Sequence, residues 1–126
     1  MEILVVEDET DVYDLFERRF RREIRSDELS FSFAFSGEEA LQYLRAYQSE
    51  VLTLFSDINM SVMDGLTLLL RTYAEHPGMK TVMVSAYGDS GNLRTAMNRG
   101  AFDFVVKPID LADLEMTTEK TADQVH

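Results

Sequence analysis

Short apolar runs alternate with amphipathic stretches five times along the chain. The segments Ile3–Glu7, Phe31–Ser36, Val51–Asp57, Thr81–Ser85 and Phe102–Lys107 read as strands, and 11–25, 37–49, 65–75, 89–99 and 110–122 carry a helical period. Strands alternating with helices of this length predict βαβ units and a parallel sheet, the α/β class. Ile3-Leu4-Val5-Val6 and Val51-Leu52-Thr53-Leu54-Phe55 are nearly continuous apolar runs, as strands covered on both faces require. Phe31-Ser32-Phe33-Ala34-Phe35-Ser36 and Phe102-Asp103-Phe104 alternate instead, which moves the second and fifth strands toward the edges. The order 2-1-3-4-5 satisfies both textures, and right-handed crossovers then set helices on both faces of one doubly wound sheet.

The helix ends are marked. Ser36-Gly37-Glu38-Glu39 reads as a capping box, with Glu39 reaching back to the amide of Ser36. Asp64 caps a helix starting at Gly65, and Asp110 one starting at Leu111. His76-Pro77-Gly78 stops the third helix, and Gly100 suits the left-handed residue after the fourth. In the first helix Val12, Leu15, Phe16, Phe20 and Ile24 share a face.

With 126 residues and 45% hydrophobic side chains, the chain suits one domain with a full core and no staple. It has no cysteine, which removes thiol nucleophiles and Cys-based metal sites from consideration. Twenty-three acidic against twelve basic residues give a net charge of −11, which disfavours nucleic acid and anionic membrane as partners. No apolar run approaches the ~20 residues of a membrane span, so a cytoplasmic protein is expected. It reads as a whole small protein or as one module of a longer chain.

Ligands of an open parallel sheet bind beyond the carboxyl ends of the strands, where the strand order reverses. The first strand ends in Glu7-Asp8, the third in Asp57, the fourth in Ser85 and the fifth in Lys107-Pro108. Three acids so placed repel one another, and a hard divalent cation such as Mg²⁺ resolves the conflict. One carboxylate can then attack a phosphoryl group, with the metal, a Lys and a hydroxyl receiving its oxygens.

These residues carry a resemblance that spans nearly the whole chain. Val6-Glu7-Asp8-Glu9, Asp57-Ile58-Asn59-Met60-Ser61-Val62-Met63-Asp64-Gly65, Val84-Ser85-Ala86-Tyr87 and Phe104-Val105-Val106-Lys107-Pro108, in this order, resemble the receiver domain of two-component response regulators. The resemblance implies a flavodoxin-like (βα)5 fold over 1–122, with 123–126 a tail or the start of a linker. It implies that Asp57 accepts phosphate from a histidine kinase or a histidine phosphotransfer protein. Asp8, Asp57 and the backbone carbonyl of Asn59 would ligate Mg²⁺, with Glu7 acting directly or through water. Lys107 would hold the phosphoryl group and pair with Asp57 when it is empty. Ser85 would swing toward the phosphate and Phe104 would turn inward behind it, while Asn59 and Tyr87 would tune dephosphorylation. The Lys107–Pro108 bond would be cis. The readout would be an output domain in cis, an effector in trans, or a homodimer through the face of the fourth helix and fifth strand. The protein would be a switch without turnover of its own. Ser61 stands where this family usually has proline, Glu7 where aspartate is commoner, and Ser85 in place of threonine; none removes a required group.

Blander and rival readings stand beside these. Glu7-Asp8 also suits a strand-end turn, Ser85 a small strand terminus, and Phe104 the core. The rival chemistry is a Mg²⁺-dependent phosphohydrolase working through an aspartyl phosphate, but Asn59 stands where its acid/base would be. A flavin carrier lacks its phosphate loop here. The run Arg18–Arg25 reads as a solvated helix face, with Asp14–Arg18, Glu17–Arg21 and Arg19–Glu23 at salt-bridge spacing, and as a docking surface in the alternative. Leu111, Leu114, Thr118, Thr121 and Val125 make a weak heptad that would suit a helix continuing toward an output domain.

Overall fold

The computed structural model describes residues 2–9, 11–27, 30–47, 51–60, 63–86, 88–107 and 116–117. Expectations that fall on Ser61, Tyr87, the Lys107–Pro108 bond, the Asp110 cap, the helix 110–122 apart from Met116 and Thr117, and the tail lie outside them.

Five parallel strands, β1 (Glu2–Val6), β2 (Ser30–Ala34), β3 (Val51–Asp57), β4 (Lys80–Ala86) and β5 (Asp103–Lys107), form one sheet of order β2-β1-β3-β4-β5. Burial follows that order. Interior β1, residues 53–57 of β3, and β4 are buried along nearly their whole length, whereas β2 and β5 are mostly half-covered. This is the texture that apolar runs and alternating runs foretell.

The pleat sorts the core into two layers. Ile3, Val5, Phe55, Val82 and Val105 point to the side occupied by α1 (Asp11–Arg19), where Tyr13, Phe16 and Phe20 meet them. Leu4, Val6 and Leu54 point to the other side, against α3 (Gly37–Tyr47) and α4 (Gly65–Glu75). Met83 and Ile58 continue that layer toward Leu69 of α4 and Ala96 of α5 (Ser90–Asn98). Each large side chain fully buried this way contributes about 1.5–3 kcal/mol.

Two local expectations are corrected. The first helix is not continuous over 11–25; it breaks at Phe20 (φ −107°, ψ 25°) and resumes as α2 (Arg21–Arg25). The break lets the buried Phe20 ring lie 5.4 Å from Phe31 and 6.3 Å from Phe16. Glu39 closes its capping box on the amide of Phe35 (3.3 Å) rather than that of Ser36, whose hydroxyl accepts from the Glu39 amide (3.1 Å). Other ends form as expected. Asp64 accepts from the Thr67 amide (2.8 Å) to start α4. Gly100, at φ +103°, follows α5, with Gly100 N–H on Met97 O (3.2 Å) and Ala101 N–H on Ala96 O (3.1 Å). This paired closure favours glycine at its left-handed position.

Candidate functional site

The parallel register brings the strand ends together. Val6 pairs with Ser56, so Glu7, just past β1, lies beside Asp57 at the end of β3. On the other flank Asp57 pairs with Val84 and Ala86 with Lys107, which sets Ser85 and Lys107 at the same edge of the sheet. The Lys107 side chain reaches past the end of β4 to put its Nζ 2.8 Å from Asp57 Oδ2 and 3.3 Å from Glu7 Oε2. Glu7 and Asp57 are only 1% and 2% exposed, while Asp8 is open to solvent.

Two buried carboxylates around one ammonium leave negative charge in excess. Burial, followed by the hydrogen bond and charge of Asp57, pushes the Glu7 carboxyl up to about 8, against the opposing pull of Lys107. For Lys107, burial favours the neutral amine, but the hydrogen bond and charge of Asp57 and those of Glu7 outweigh it and raise its pKa. One oxygen each from Glu7, Asp8 and Asp57 lies within 4.8 Å of the others. Hard oxygen donors at this spacing, with an unneutralised acid among them, fit a divalent cation such as Mg²⁺.

Neighbouring backbone holds these acids in place. The Asn59 amide donates to Asp57 Oδ1 (3.1 Å), and the Glu9 amide to Glu7 Oε1 (3.2 Å). Tyr13, absent from the helix face expected from sequence, is buried and shares its hydroxyl proton between the carbonyls of Glu7 and Ala34 (3.0 Å to the latter). It thereby ties α1 to the ends of β1 and β2, the points from which Glu7 projects. Leu15, expected on that face, is only half-buried. The missed signal is Tyr13, Phe16, Phe20 and Ile24 at steps of three, four and four. Gly65 is the second silent contributor: a Cβ there would sit 2.2 Å from the Asp57 carbonyl oxygen and 2.7 Å from Ile58 Cα. Only glycine lets α4 begin directly against the end of β3, where Gly65 N–H donates to Ile58 O at 2.7 Å.

The remaining expected residues are placed more loosely. Ser85 is 1% exposed, and its hydroxyl donates to the adjacent Ala86 carbonyl at 3.2 Å. Phe104 is 41% exposed on β5, so core packing does not describe it. The Asn59 side-chain amide donates to Asp89 Oδ2 (3.4 Å), which also accepts from Asn92 (3.2 Å). Asp89 thus links the loop after Asp57 to the start of α5, instead of capping its own helix.

Residues 3–119 match the family model described as the response regulator receiver domain. The chain belongs to that family. This receiver domain is similar to the chemotaxis protein CheY of Listeria monocytogenes, at 32% identity over 97% of this chain and 98% of that protein. The transcriptional regulatory protein ZraR of Escherichia coli is 27% identical over all of this chain, which spans 27% of ZraR. The crystal structure of the NtrX receiver domain from Brucella abortus superposes with a TM-score of 0.84 at 30% identity, covering 96% of this chain and 98% of that one. The receiver domain is therefore a phosphoacceptor module of two-component signalling, in a family whose members generally signal rather than catalyse. Among the described residues no helix is long and apolar enough to cross a membrane.

Proposed function

We propose that Asp57 is the phosphoacceptor of this receiver domain, supplied by a histidine kinase or a histidine phosphotransfer protein in the cytoplasm. The observation that carries the reading is Lys107 Nζ held between Asp57 Oδ2 and Glu7 Oε2, at 2.8 and 3.3 Å, with Asp8 close by. Glu7, Asp8, Asp57 and the backbone carbonyl of Asn59 would hold Mg²⁺, which when bound neutralises the acids and the charge on the phosphoryl oxygens. A carboxylate oxygen of Asp57 attacks phosphorus, the phosphorus–nitrogen bond of the donor breaks, and the donor imidazole leaves with that electron pair. Lys107 exchanges its ion pair with Asp57 for one with the arriving phosphoryl group. The buried Ser85 hydroxyl, which donates to its neighbour's carbonyl, turns to donate instead to a phosphoryl oxygen.

The new contacts to Lys107 and Ser85 exist only in the phosphorylated state, so they supply the differential free energy that shifts the conformational balance. Phe104, 41% exposed on β5 and two residues before Val106, the partner of Ser85, moves inward into the space that Ser85 leaves. Asn59 and Tyr87 tune how fast the phosphate is lost. Residues 1–122 form the receiver unit and 123–126 its tail, and the switched surface, α5 with β5, addresses an output domain, an effector or a second copy.

Incubation with acetyl phosphate and Mg²⁺, read by intact mass, tests this. Addition of one phosphoryl group to the protein and none to Asp57→Asn is the expected result. Equal labelling of the two would transfer the role to another residue.

A further inference from the structure

Charge on this molecule is unevenly spread. Five of its twelve basic residues, Arg18, Arg19, Arg21, Arg22 and Arg25, lie within eight positions at the end of α1 and along α2. Because α1 leads away from the carboxyl end of β1, this cluster lies at the pole opposite Asp57, near the start of β2. The expected Asp14–Arg18 and Glu17–Arg21 pairs do not form. Among the described residues Arg18, Arg21, Arg22 and Arg25 have no carboxylate within 4 Å.

The five guanidiniums line an open hollow of about 730 Å³, together with Glu23 and Ser26. A second hollow, of about 320 Å³, adjoins it through Arg21 and Arg25 and is walled by Ile24, Phe31 and Phe33, with Glu17 at its edge. The guanidiniums of Arg18, Arg21, Arg22 and Arg25 outnumber the carboxylates of Asp14, Glu17 and Glu23 around these hollows, on a chain whose total is −11. Guanidinium forks suit phosphate oxygens bidentately, and planar apolar walls suit a flat ring. Among the described residues no donor reaches the buried Glu23 Oε2, so a ligand bringing a sugar hydroxyl would satisfy it.

We propose that this face is a binding site for a nucleoside polyphosphate, its phosphates on the arginines and its base against Ile24, Phe31 and Phe33. A long nucleic acid is disfavoured because the cationic area is confined to two adjoining hollows on an acidic body. The site shares no residue with the acceptor end, so it stands whether or not Asp57 is the phosphoacceptor.

The test is a titration of the ¹⁵N-labelled protein with ATP, inorganic tripolyphosphate and adenosine at fixed salt without Mg²⁺. ATP should shift amides of Arg18–Ser26 and Ser30–Phe33 and bind at least about tenfold more tightly than tripolyphosphate or adenosine. The double variant Arg21→Gln, Arg25→Gln should weaken ATP by about tenfold at an unchanged melting temperature, because both side chains are on the surface. Asp57→Asn should bind ATP as the parent does. No shifts at roughly 5 mM ATP, shifts confined to other elements, or tripolyphosphate as tight as ATP would each overturn the proposal.

Discussion

The two halves of the acceptor end are built on opposite plans. On the β1–β3 side, Glu7 and Asp57 are buried, each takes a backbone amide, and α4 is pressed against the carbonyl of Asp57 with no room for a methyl group. On the β4–β5 side, among the described residues, the Ser85 hydroxyl donates to its neighbour's carbonyl alone and Phe104 is 41% exposed, while Asp89 joins the two halves through Asn59. Reactive groups need fixed geometry, whereas a switch needs side chains that can change partners at low cost. On the function proposed above, the contrast gives the acids and the nucleophile to one half and the conformational response to the other, with Lys107 of β5 reaching across to serve the fixed half.

The strongest way to break the contrast is to loosen the fixed half. Gly65→Ala drives a Cβ into backbone atoms that cannot step aside as a flexible side chain would. A loss of about 3 kcal/mol, seen as a lowered thermal midpoint, is expected together with impaired labelling of Asp57. Gly78→Ala, where nothing lies within 4 Å of the added methyl, serves as the control. Next comes Lys107→Gln, which removes the cation shared by the two buried acids. By analogy with loss of one transition-state donor, phosphorylation by acetyl phosphate should slow by about 10²–10³-fold. A rate near that of the parent protein would show that Lys107 has no part in the transfer.

Glu7 sharpens the same side through pH. Its carboxyl titrates at about 8 in the folded protein, against an ordinary 4.5. The folded state therefore holds a proton that the unfolded chain has released. This contribution to stability is fully present below the ordinary value, falls as pH climbs, and is gone above about 8. Urea midpoints of the metal-free protein should decline between pH 5 and 9. Glu7→Gln, which cannot ionise, should flatten that decline, and saturating Mg²⁺ should flatten it as well, with proton release on binding. Tyr13→Phe should have a smaller effect, costing about 1–2 kcal/mol because buried carbonyls of Glu7 and Ala34 lose their shared hydroxyl donor.

The same division explains what could be read from residue order alone. Strand texture put β2 and β5 toward the edges because burial on two faces leaves a nearly unbroken apolar run, as in β1 and β3, whose residues 3–6 and 53–57 are buried. Glu7, Asp57 and Lys107 were legible because each sits at a strand terminus, where the topology leaves little freedom. Tyr13 was not, because a hydroxyl suggests a surface position until its carbonyl acceptors on two strands are known. The turn at Phe20 and the Glu39 contact with Phe35 depend on tertiary packing and on one residue of backbone slack, which periodicity does not encode. The part of Asp89 was not legible either, since it depends on the loop after β3 lying beside the start of α5, where the carboxylate is drawn to Asn59 and Asn92.

Phe104 provides the smallest expected change in stability and the most direct test of the responsive half. At 41% exposure its ring adds little to the core, so Phe104→Ala should alter stability by no more than about 0.5 kcal/mol. If its inward movement carries the response, that variant should still accept phosphate at Asp57, since no atom of Phe104 belongs to the acid cluster. What it should lose is the link between the site and the α5–β5 face. Phosphorylation of the parent should alter hydrogen exchange across Ser90–Asn98 and Asp103–Lys107, whereas in Phe104→Ala the change should stay near Asp57 and Ser85. An undiminished response at α5 in that variant would assign transmission to the Asn59–Asp89 contact instead, and Asp89→Ala would then be the substitution that uncouples the two halves.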